Sequence, residues 1–197
     1  MDAGGAADAA YWIQQANPTH LSLIDREHVV ATRYGWVNVP SIAWIDEHGL
    51  LVRPNDAGWA GEYFRGMMQP GFDMDAMRAE HEECRQRYLT AVRDWVTHGV
   101  QSRYALSPDE VRRRLPAVDP ARARAAALFR LGTALHHRGR PEDAQRAFAE
   151  ARTLHPDSWN YLRQSLHLQT PGASGGPTFW AAVDALGDRR YYPNQEF

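Results

Sequence analysis

The stretch that decides the fold is residues 24–53, which read IDREHVVATRYGWVNVPSIAWIDEHGLLVR. Residues 26–34 space their apolar side chains along one helical face, and Gly35 follows at the position where helices commonly end. A loop then closes on Pro40, and two β-rich runs separated by Glu47-His48-Gly49 are typical of a hairpin. The stretch therefore predicts a helix, a proline loop and a β-hairpin, in that order.

The segment before this stretch predicts two further elements. Residues 6–16 (AADAAYWIQQA) predict a short helix, and Asn17-Pro18 ends it because proline disfavours helical geometry in the residue before it. Residues 20–25 (HLSLID) alternate apolar and polar side chains, which favours a strand.

The chain beyond residue 73 is predicted to be helical. Residues 74–98 carry a long helical pattern, and Ser107-Pro108 and Asp119-Pro120 each have the sequence of a helix start, a capping residue followed by proline. The tail at 171–197 opens with TPGASGGP (residues 170–177), which resembles a flexible linker. A short helix at 179–186 follows, and we expect the aromatic tail after it to dock back onto the body.

One helical segment has the spacing of a repeat unit. Its small and large apolar residues fall at the offsets W-x₂-L-G-x₂-Y…A-x₃-F…P, on Leu128, Leu131, Gly132, Leu135, Ala144, Phe148 and Pro156. This segment resembles a tetratricopeptide (TPR) repeat, and residues 139–141 (GRP) supply its turn. Small residues at 132 and 144 would let the two helices cross closely, with Phe148 between them. No second copy follows in the same register, so neighbouring helices must cover the hairpin.

The opening stretch also resembles a known family. Residues 34–40 (YGWVNVP) match the YGV-x-x-P signature of the TlpA/ResA-like thiol–disulfide oxidoreductases and peroxiredoxins, and residues 45–49 (IDEHG) match the ID-x-x-G turn that follows it. The resemblance covers about a quarter of the chain. It implies the second half of a thioredoxin fold, with a cis bond at Val39-Pro40. A cis bond is energetically accessible only before proline.

The resemblance also implies where a substrate or partner would bind. Val39, Pro40 and Ser41 would form the substrate-facing loop, with Trp36 beside them. Three tryptophans near this loop, Trp36, Trp44 and Trp59, have two interpretations: they line an apolar groove, or they form the core of a small α/β unit. Aromatic side chains more often partition into cores.

The sequence lacks the cysteines that this family uses for catalysis. Thiol–disulfide exchange needs an activated thiolate and a resolving partner, and the chain has one cysteine, Cys84, which follows Glu82 and Glu83, two acidic residues that disfavour a thiolate. We therefore expect no catalytic residue in this chain. Either the natural chain starts upstream of Met1 with redox cysteines, or the protein has lost that half and keeps the rest as a scaffold.

The amino-acid composition limits the classes of partner and ligand that the chain is expected to bind. The formal net charge is −2, which gives no electrostatic reason to expect nucleic acid or an anionic membrane. No run of about 18 apolar residues predicts a membrane helix. The nine histidines have no metal-ligand spacing, so we expect no metal and no cofactor. A cytoplasmic location is the default for such a chain.

The sequence thus predicts an α+β fold with four segments: a partial thioredoxin-like region at 1–56, a linker at 57–73, an all-helical region at 74–170 with a TPR-like hairpin at 125–158, and a linker and docking tail at 171–197. Two main functions remain open, beside a third in which Cys84 acts as a lone redox sensor. The first is a thioredoxin-like protein that is not catalytic by itself. The second is a TPR-type interaction module that uses the thioredoxin-like part as a scaffold. Either predicts a protein or peptide partner, and an exposed sheet edge would also allow pairing with a second copy.

Overall fold

The computed structural model describes residues 6–192, and over this range the fold is α+β, with eight α-helices and one two-stranded antiparallel sheet. In chain order the elements are α1 (Ala6–Ala16), α2 (Val29–Tyr34), β1 (Ile42–Ile45), β2 (Leu51–Asp56), α3 (Met74–His98), α4 (Pro108–Arg114), α5 (Pro120–His137), α6 (Pro141–Leu154), α7 (Trp159–Gln169) and α8 (Pro177–Asp184).

The described chain divides into two compact units, and each contains two chain segments. The helical unit comprises residues 6–37 and 118–179, and the sheet unit comprises residues 38–117 and 180–192. The four segments predicted from the sequence are each one continuous stretch of chain, whereas each unit combines two separate stretches. The segments therefore stay predictions.

The core of the helical unit lies where α5, α6 and α7 meet. Its buried side chains come from all three helices: Ala125, Phe129, Ala144, Phe148, Ala151, Tyr161 and Leu168. The ring of Phe129 stacks on that of Tyr161 with centroids 4.5 Å apart and lies 5.4 Å from that of Phe148. Such ring pairs each contribute about 0.5–1.5 kcal/mol beyond the area that they bury.

The approach of α5 to α6 depends on a missing side chain. A Cβ atom placed on Gly132 would lie 2.6 Å from two atoms of the Phe148 ring, which is closer than van der Waals contact allows. Ala144, which is 1% exposed, provides the small residue on the other helix. The expected role of these three positions in the helical crossing is therefore seen in the packing.

The core of the sheet unit is the hairpin packed against α3. Trp44 and Val52 of the hairpin are buried together with Tyr88 and Ala91 of α3. The indole N–H of Trp44 donates to the hydroxyl of Tyr88 at 3.0 Å. Trp44 therefore belongs to the core, as the more conservative of the two interpretations of the tryptophans predicts.

A buried ion pair lies at the end of this hairpin. The Arg53 Nε and the Asp56 Oδ2 are 2.6 Å apart, and both side chains are almost completely buried. Arg53 also donates to the main-chain oxygen of Tyr104 at 2.8 Å, and its guanidinium lies 5.5 Å from the centroid of the Trp44 ring. The Arg53 guanidinium therefore joins β2 to the segment that carries Tyr104, and removing Asp56 would leave its charge buried without a partner.

Helix boundaries that depend on local chemistry are confirmed. α1 and α3 have the predicted bounds, and Gly35 ends α2 with a left-handed φ of 67°. Ser107 accepts a hydrogen bond from the N–H of Glu110, and Asp119 accepts one from that of Ala121. These side chains satisfy main-chain donors that a helix leaves unpaired, so their effect is readable from sequence.

Three predicted features differ from the structure. The strand expected at residues 20–25 is absent, and Leu21 and Leu23 are 81% and 79% exposed, because among residues 6–192 no strand pairs with this segment. The helix expected from residue 26 begins at 29, since Asp25 accepts the N–H groups of Val29 and Ala31 and holds residues 25–28 in a turn.

The third difference is the segment predicted to be a flexible linker. Residues 173–175 form a 3₁₀ turn that packs against α7, and the main-chain oxygen of Ser174 accepts from Arg163 at 3.2 Å. The following helix starts at Pro177 because proline suits the first turn of a helix, two residues earlier than predicted.

Substituting Gly132 tests the helical crossing. Gly132→Val should lower the free energy of unfolding by about 1–3 kcal/mol, because its side chain would overlap the buried Phe148 ring. Gly175→Val is the matched control: nothing lies within 4 Å of its added Cβ, so its effect should stay within about 0.5 kcal/mol. Urea unfolding followed by circular dichroism measures both. Equal stability of the two variants would contradict the packing described.

Candidate functional site

The loop that the sequence marks as substrate-facing is in the sheet unit. The Val39–Pro40 bond is cis, as the family resemblance implies. Val39 is 37% exposed, and its N–H donates to the Oδ1 of Asn38 at 2.9 Å. The hydroxyl of Ser41 donates to the main-chain oxygen of Asn38 at 2.6 Å. Asn38, 3% exposed, is therefore the residue that organises this loop, and the sequence analysis did not select it.

The C-terminal segment of the same unit lies on this loop. The Tyr192 hydroxyl donates to the main-chain oxygen of Val39 at 2.9 Å, and the Asn38 side-chain amide donates to the main-chain oxygen of Tyr191 at 3.2 Å. Both main-chain hydrogen-bonding groups of Val39 are therefore engaged within the chain. An extended substrate that pairs with Val39 would first have to displace Tyr192.

Two charged residues hold this segment in place. The carboxylate of Glu62 accepts the N–H groups of Tyr191 and Tyr192, at 3.2 and 2.9 Å. Arg65 donates to the main-chain oxygens of Gly187 and Arg189, at 2.7 and 3.1 Å. Hydrogen bonds with a charged partner are about twice as strong as neutral ones, so the segment is anchored at four points.

The other predicted site residue, Trp36, is in the helical unit. Its ring stacks on that of Tyr34 with centroids 5.1 Å apart. Its main-chain oxygen accepts from the side-chain amide of Asn160 at 2.7 Å, and its N–H donates to the main-chain oxygen of Ala31 at 2.8 Å. Trp36 therefore joins α2 to the start of α7. Of the three tryptophans, Trp59 is the most exposed, at 39%.

The single cysteine is half-buried on α3. A guanidinium nitrogen of Arg87 lies 3.3 Å from the Sγ of Cys84. Nearby, burial raises the pKa of the Tyr63 hydroxyl, with the Cys84 thiol adding to the rise. No second thiol exists in the sequence, so this group cannot form an intrachain disulfide.

A buried histidine is the most unusual titratable group of the helical unit. His28 is 1% exposed, its ring lies 4.8 Å from that of Phe129, and within the described chain neither ring nitrogen has a hydrogen-bond partner. Burial lowers its pKa to about 4, although the Asp25 carboxylate opposes the shift. At neutral pH His28 is therefore an uncharged ring packed among aromatic side chains. Its burial depends on contacts far apart in sequence, so no local pattern could have identified it.

Neither a cluster of metal-binding side chains nor a membrane-spanning helix is present among residues 6–192. Within this range no group of three or more His, Cys, Asp or Glu side chains is arranged to hold a metal ion. None of the helices in the same range combines the length and the apolarity that crossing a membrane requires.

Comparisons with known proteins add no family to these observations. Models of protein families, curated proteins and solved structures were all compared with the chain, and none of them matches it. The functional interpretation therefore rests on the geometry of the two units.

Removing the carboxylate of Glu62 should release the C-terminal segment. In Glu62→Ala, trypsin should cleave after Arg189 and Arg190 at least about tenfold faster, because two charge-assisted hydrogen bonds to the segment are lost. Glu47→Ala, which removes an exposed carboxylate, should leave the rate unchanged. Mass spectrometry of the timed digest gives both rates. Identical cleavage in the two variants would show that Glu62 does not anchor the segment.

Stability should fall in mild acid because of His28. A histidine whose folded-state pKa is lowered contributes stability that is complete above the unfolded-state value of 6.5 and is lost as pH falls toward about 4. Between pH 7.5 and 5.0 this loss is about 2 kcal/mol. His155, whose pKa burial also lowers, adds to it.

The pH dependence of urea unfolding measures this effect. His28→Leu should flatten the dependence between pH 7.5 and 5.0, whereas His48→Leu, which replaces an exposed ring, should reproduce the wild-type slope. The slope is compared rather than the absolute stability, because Leu also changes the packing. A wild-type slope in His28→Leu would show that another group is responsible.

Proposed function

We propose that this chain is a protein-binding module that performs no thiol–disulfide exchange of its own. The observation that carries the proposal is a concentration of exposed apolar side chains in the first segment of the helical unit. Tyr11, Trp12, Leu21 and Leu23 are 59%, 71%, 81% and 79% exposed. We call these four residues the apolar segment. Four large apolar side chains exposed between residues 11 and 23 support an interaction surface in this part of the chain, because large apolar side chains are usually buried.

The packing of this segment supports the same function. α1, which carries Tyr11 and Trp12, makes only sparse contacts with the other elements that the structure describes. The two rings contact each other edge to face, 5.1 Å apart, and are otherwise accessible. A partner that covered them would bury apolar surface at about 25 cal/mol per Å². The helical hairpin of α5 and α6, which resembles a TPR unit, belongs to the same helical unit as this segment.

A thioredoxin-like protein related to thiol–disulfide oxidoreductases is the second candidate. The order of its elements favours it: the Pro40 loop leads directly into β1, and Asp46 closes the following hairpin by accepting the N–H groups of His48 and Leu50. Trp36, Val39, Pro40 and Ser41 remain its proposed binding residues. The engagement of Val39 by Tyr192 counts against substrate pairing there while the C-terminal segment is in place.

A cytoplasmic location is part of the proposal. A protein with a single cysteine has no intrachain disulfide to keep oxidised, which suits a reducing compartment. Pairing of the sheet with a second copy also stays a proposal, because each strand of a two-stranded sheet has an edge that the other strand does not cover.

Substitution within the apolar segment tests the leading proposal. Leu21→Asn/Leu23→Asn should reduce the captured amount of any partner from native extract at least about tenfold, because both side chains are exposed and their loss removes contact area. Val96→Asn/Val100→Asn is the matched control, since these residues are 75% and 82% exposed on the other unit. Quantitative mass spectrometry of the captured proteins compares the two, and light scattering after gel filtration detects a second copy.

Pro40→Ala separates the two candidates. Under the leading proposal, capture should be unaffected by Pro40→Ala and lost in the Leu21/Leu23 variant. The reverse pattern would favour the thioredoxin-like loop as the binding site. Urea unfolding of each variant shows whether a loss of capture reflects a loss of folding.

A further inference from the structure

A pocket of about 500 Å³ lies within the helical unit, between the turn before α2 and the C-terminal half of α5. One wall is the turn before α2, which contributes Arg26 and Glu27. The other wall is a face of α5, with the lining residues Arg130, Leu131, Thr133, Ala134 and His137. The volume falls in the range of about 300–1,000 Å³ that is typical of sites for small ligands.

The turn that carries Arg26 and Glu27 is held firmly from both ends. Before it, the two carboxylate oxygens of Asp25 accept the N–H groups of Val29 and Ala31 at 2.8 and 3.0 Å. After it, the buried His28 ring packs on Phe129 of α5. The main chain of the turn is therefore fixed against the helix that forms the opposite wall. A site with fixed walls loses less conformational entropy when a ligand binds.

The two arginines of this pocket differ from most others in the chain. Arginines such as Arg53, Arg112 and Arg124 are ion-paired with nearby carboxylates. By contrast, within residues 6–192 no carboxylate lies within ion-pair distance of either Arg26 or Arg130. Two guanidinium groups without a carboxylate partner thus line one concave site.

The remaining lining residues restrict the ligand further. Leu131, 48% exposed, and Ala134 offer an apolar surface beside the guanidinium groups. Glu27 adds one negative charge, which disfavours a dianion such as phosphate relative to a ligand with a single negative charge. A guanidinium group binds a carboxylate through two parallel hydrogen bonds, a geometry that also provides specificity.

We propose that this pocket binds a small organic monocarboxylate, with its carboxylate on Arg26 and Arg130 and its apolar body against Leu131 and Ala134. This inference goes beyond the proposed protein-binding function and uses none of the residues of the apolar segment. It needs no covalent step and no metal ion. The same carboxylate chemistry could reach the pocket from a free organic acid or from the end of a peptide, and the test distinguishes them.

The test measures binding to the full chain by isothermal titration calorimetry. The probes are benzoate and hexanoate as free acids, benzamide as the uncharged analogue of benzoate, inorganic phosphate, and a short acetylated peptide that ends in a free leucine carboxylate. We expect a free acid to bind with a dissociation constant below about 10 mM, and benzamide and phosphate to bind at least about tenfold more weakly. Tighter binding of the peptide than of both free acids would overturn the small-molecule proposal.

Substitution of the arginines provides the second arm. Arg26→Gln and Arg130→Gln should each weaken binding of the free acid at least about tenfold, because each removes one charged donor pair. Arg152→Gln is the matched control: it makes the same change of charge on α6, outside the pocket. Circular dichroism confirms that each variant is folded, which we expect because Arg26 and Arg130 are exposed.

A spectroscopic measurement on the wild-type protein keeps the test independent of the variants. Addition of benzoate should shift the Nε–Hε resonances of Arg26 and Arg130 and leave that of Arg152 in place. The proposal is overturned if no carboxylate probe binds, if benzamide binds as tightly as benzoate, or if Arg152→Gln weakens binding as much as Arg130→Gln. Because Leu21→Asn/Leu23→Asn should leave benzoate binding unchanged, failure of this site and failure of the protein-binding proposal give different results.

Discussion

The helical unit depends on the packing around the ring of Phe129. This ring stacks on Tyr161 of α7, contacts Phe148 of α6 and receives His28 from the turn before α2. Three segments that are far apart in sequence therefore meet on one side chain of α5. Gly132, one turn further along the same helix, makes the arrangement possible, since a larger residue there would displace Phe148 and with it the Phe129 ring. The shape of the pocket beside α5 depends on this packing, because the contact of His28 with Phe129 positions the turn that carries Arg26 and Glu27.

In the sheet unit, polar contacts rather than ring packing hold the loop of residues 38–41. A loop such as residues 38–41 has main-chain groups that must find partners once they are partly buried. Here the partners come from the chain itself, from Asn38 and from Tyr192. Glu62 and Arg65 then hold the segment that carries Tyr192. The loop resembles a substrate-facing one in sequence, but its hydrogen-bonding capacity is used internally. This is a physical reason to propose that a partner binds at another part of the chain.

The features that the sequence predicts correctly are those with local causes. Helix starts at Ser107 and Asp119 follow from side chains that cap their own helix, and the hairpin follows from a short glycine turn. The strand predicted at residues 20–25 is wrong because alternating polarity indicates which face of a strand is apolar but not which strand pairs with it, and none of the described strands does so. The contacts that form the candidate sites also join residues that are far apart in sequence. Glu62 bonds to residues more than a hundred positions away, and Arg26 meets α5 only after folding. The residues next to Glu62 and Arg26 in the sequence give no indication of these contacts.

The residue at position 28 must satisfy both a local constraint, the conformation of its backbone, and a non-local one, its packing in the core. An imidazole ring without hydrogen-bond partners in the core costs about 1–3 kcal/mol relative to a satisfied one. The backbone at this position has a left-handed φ of 54°, a conformation in which His is enriched relative to bulky apolar residues. The ring also contributes contacts with Phe129 that a smaller polar residue would not make. The turn needs a residue that tolerates its backbone, and the core needs a flat ring of this size. Histidine satisfies both needs only while it is uncharged, since a charged ring buried on Phe129 would lack the hydration that its charge requires.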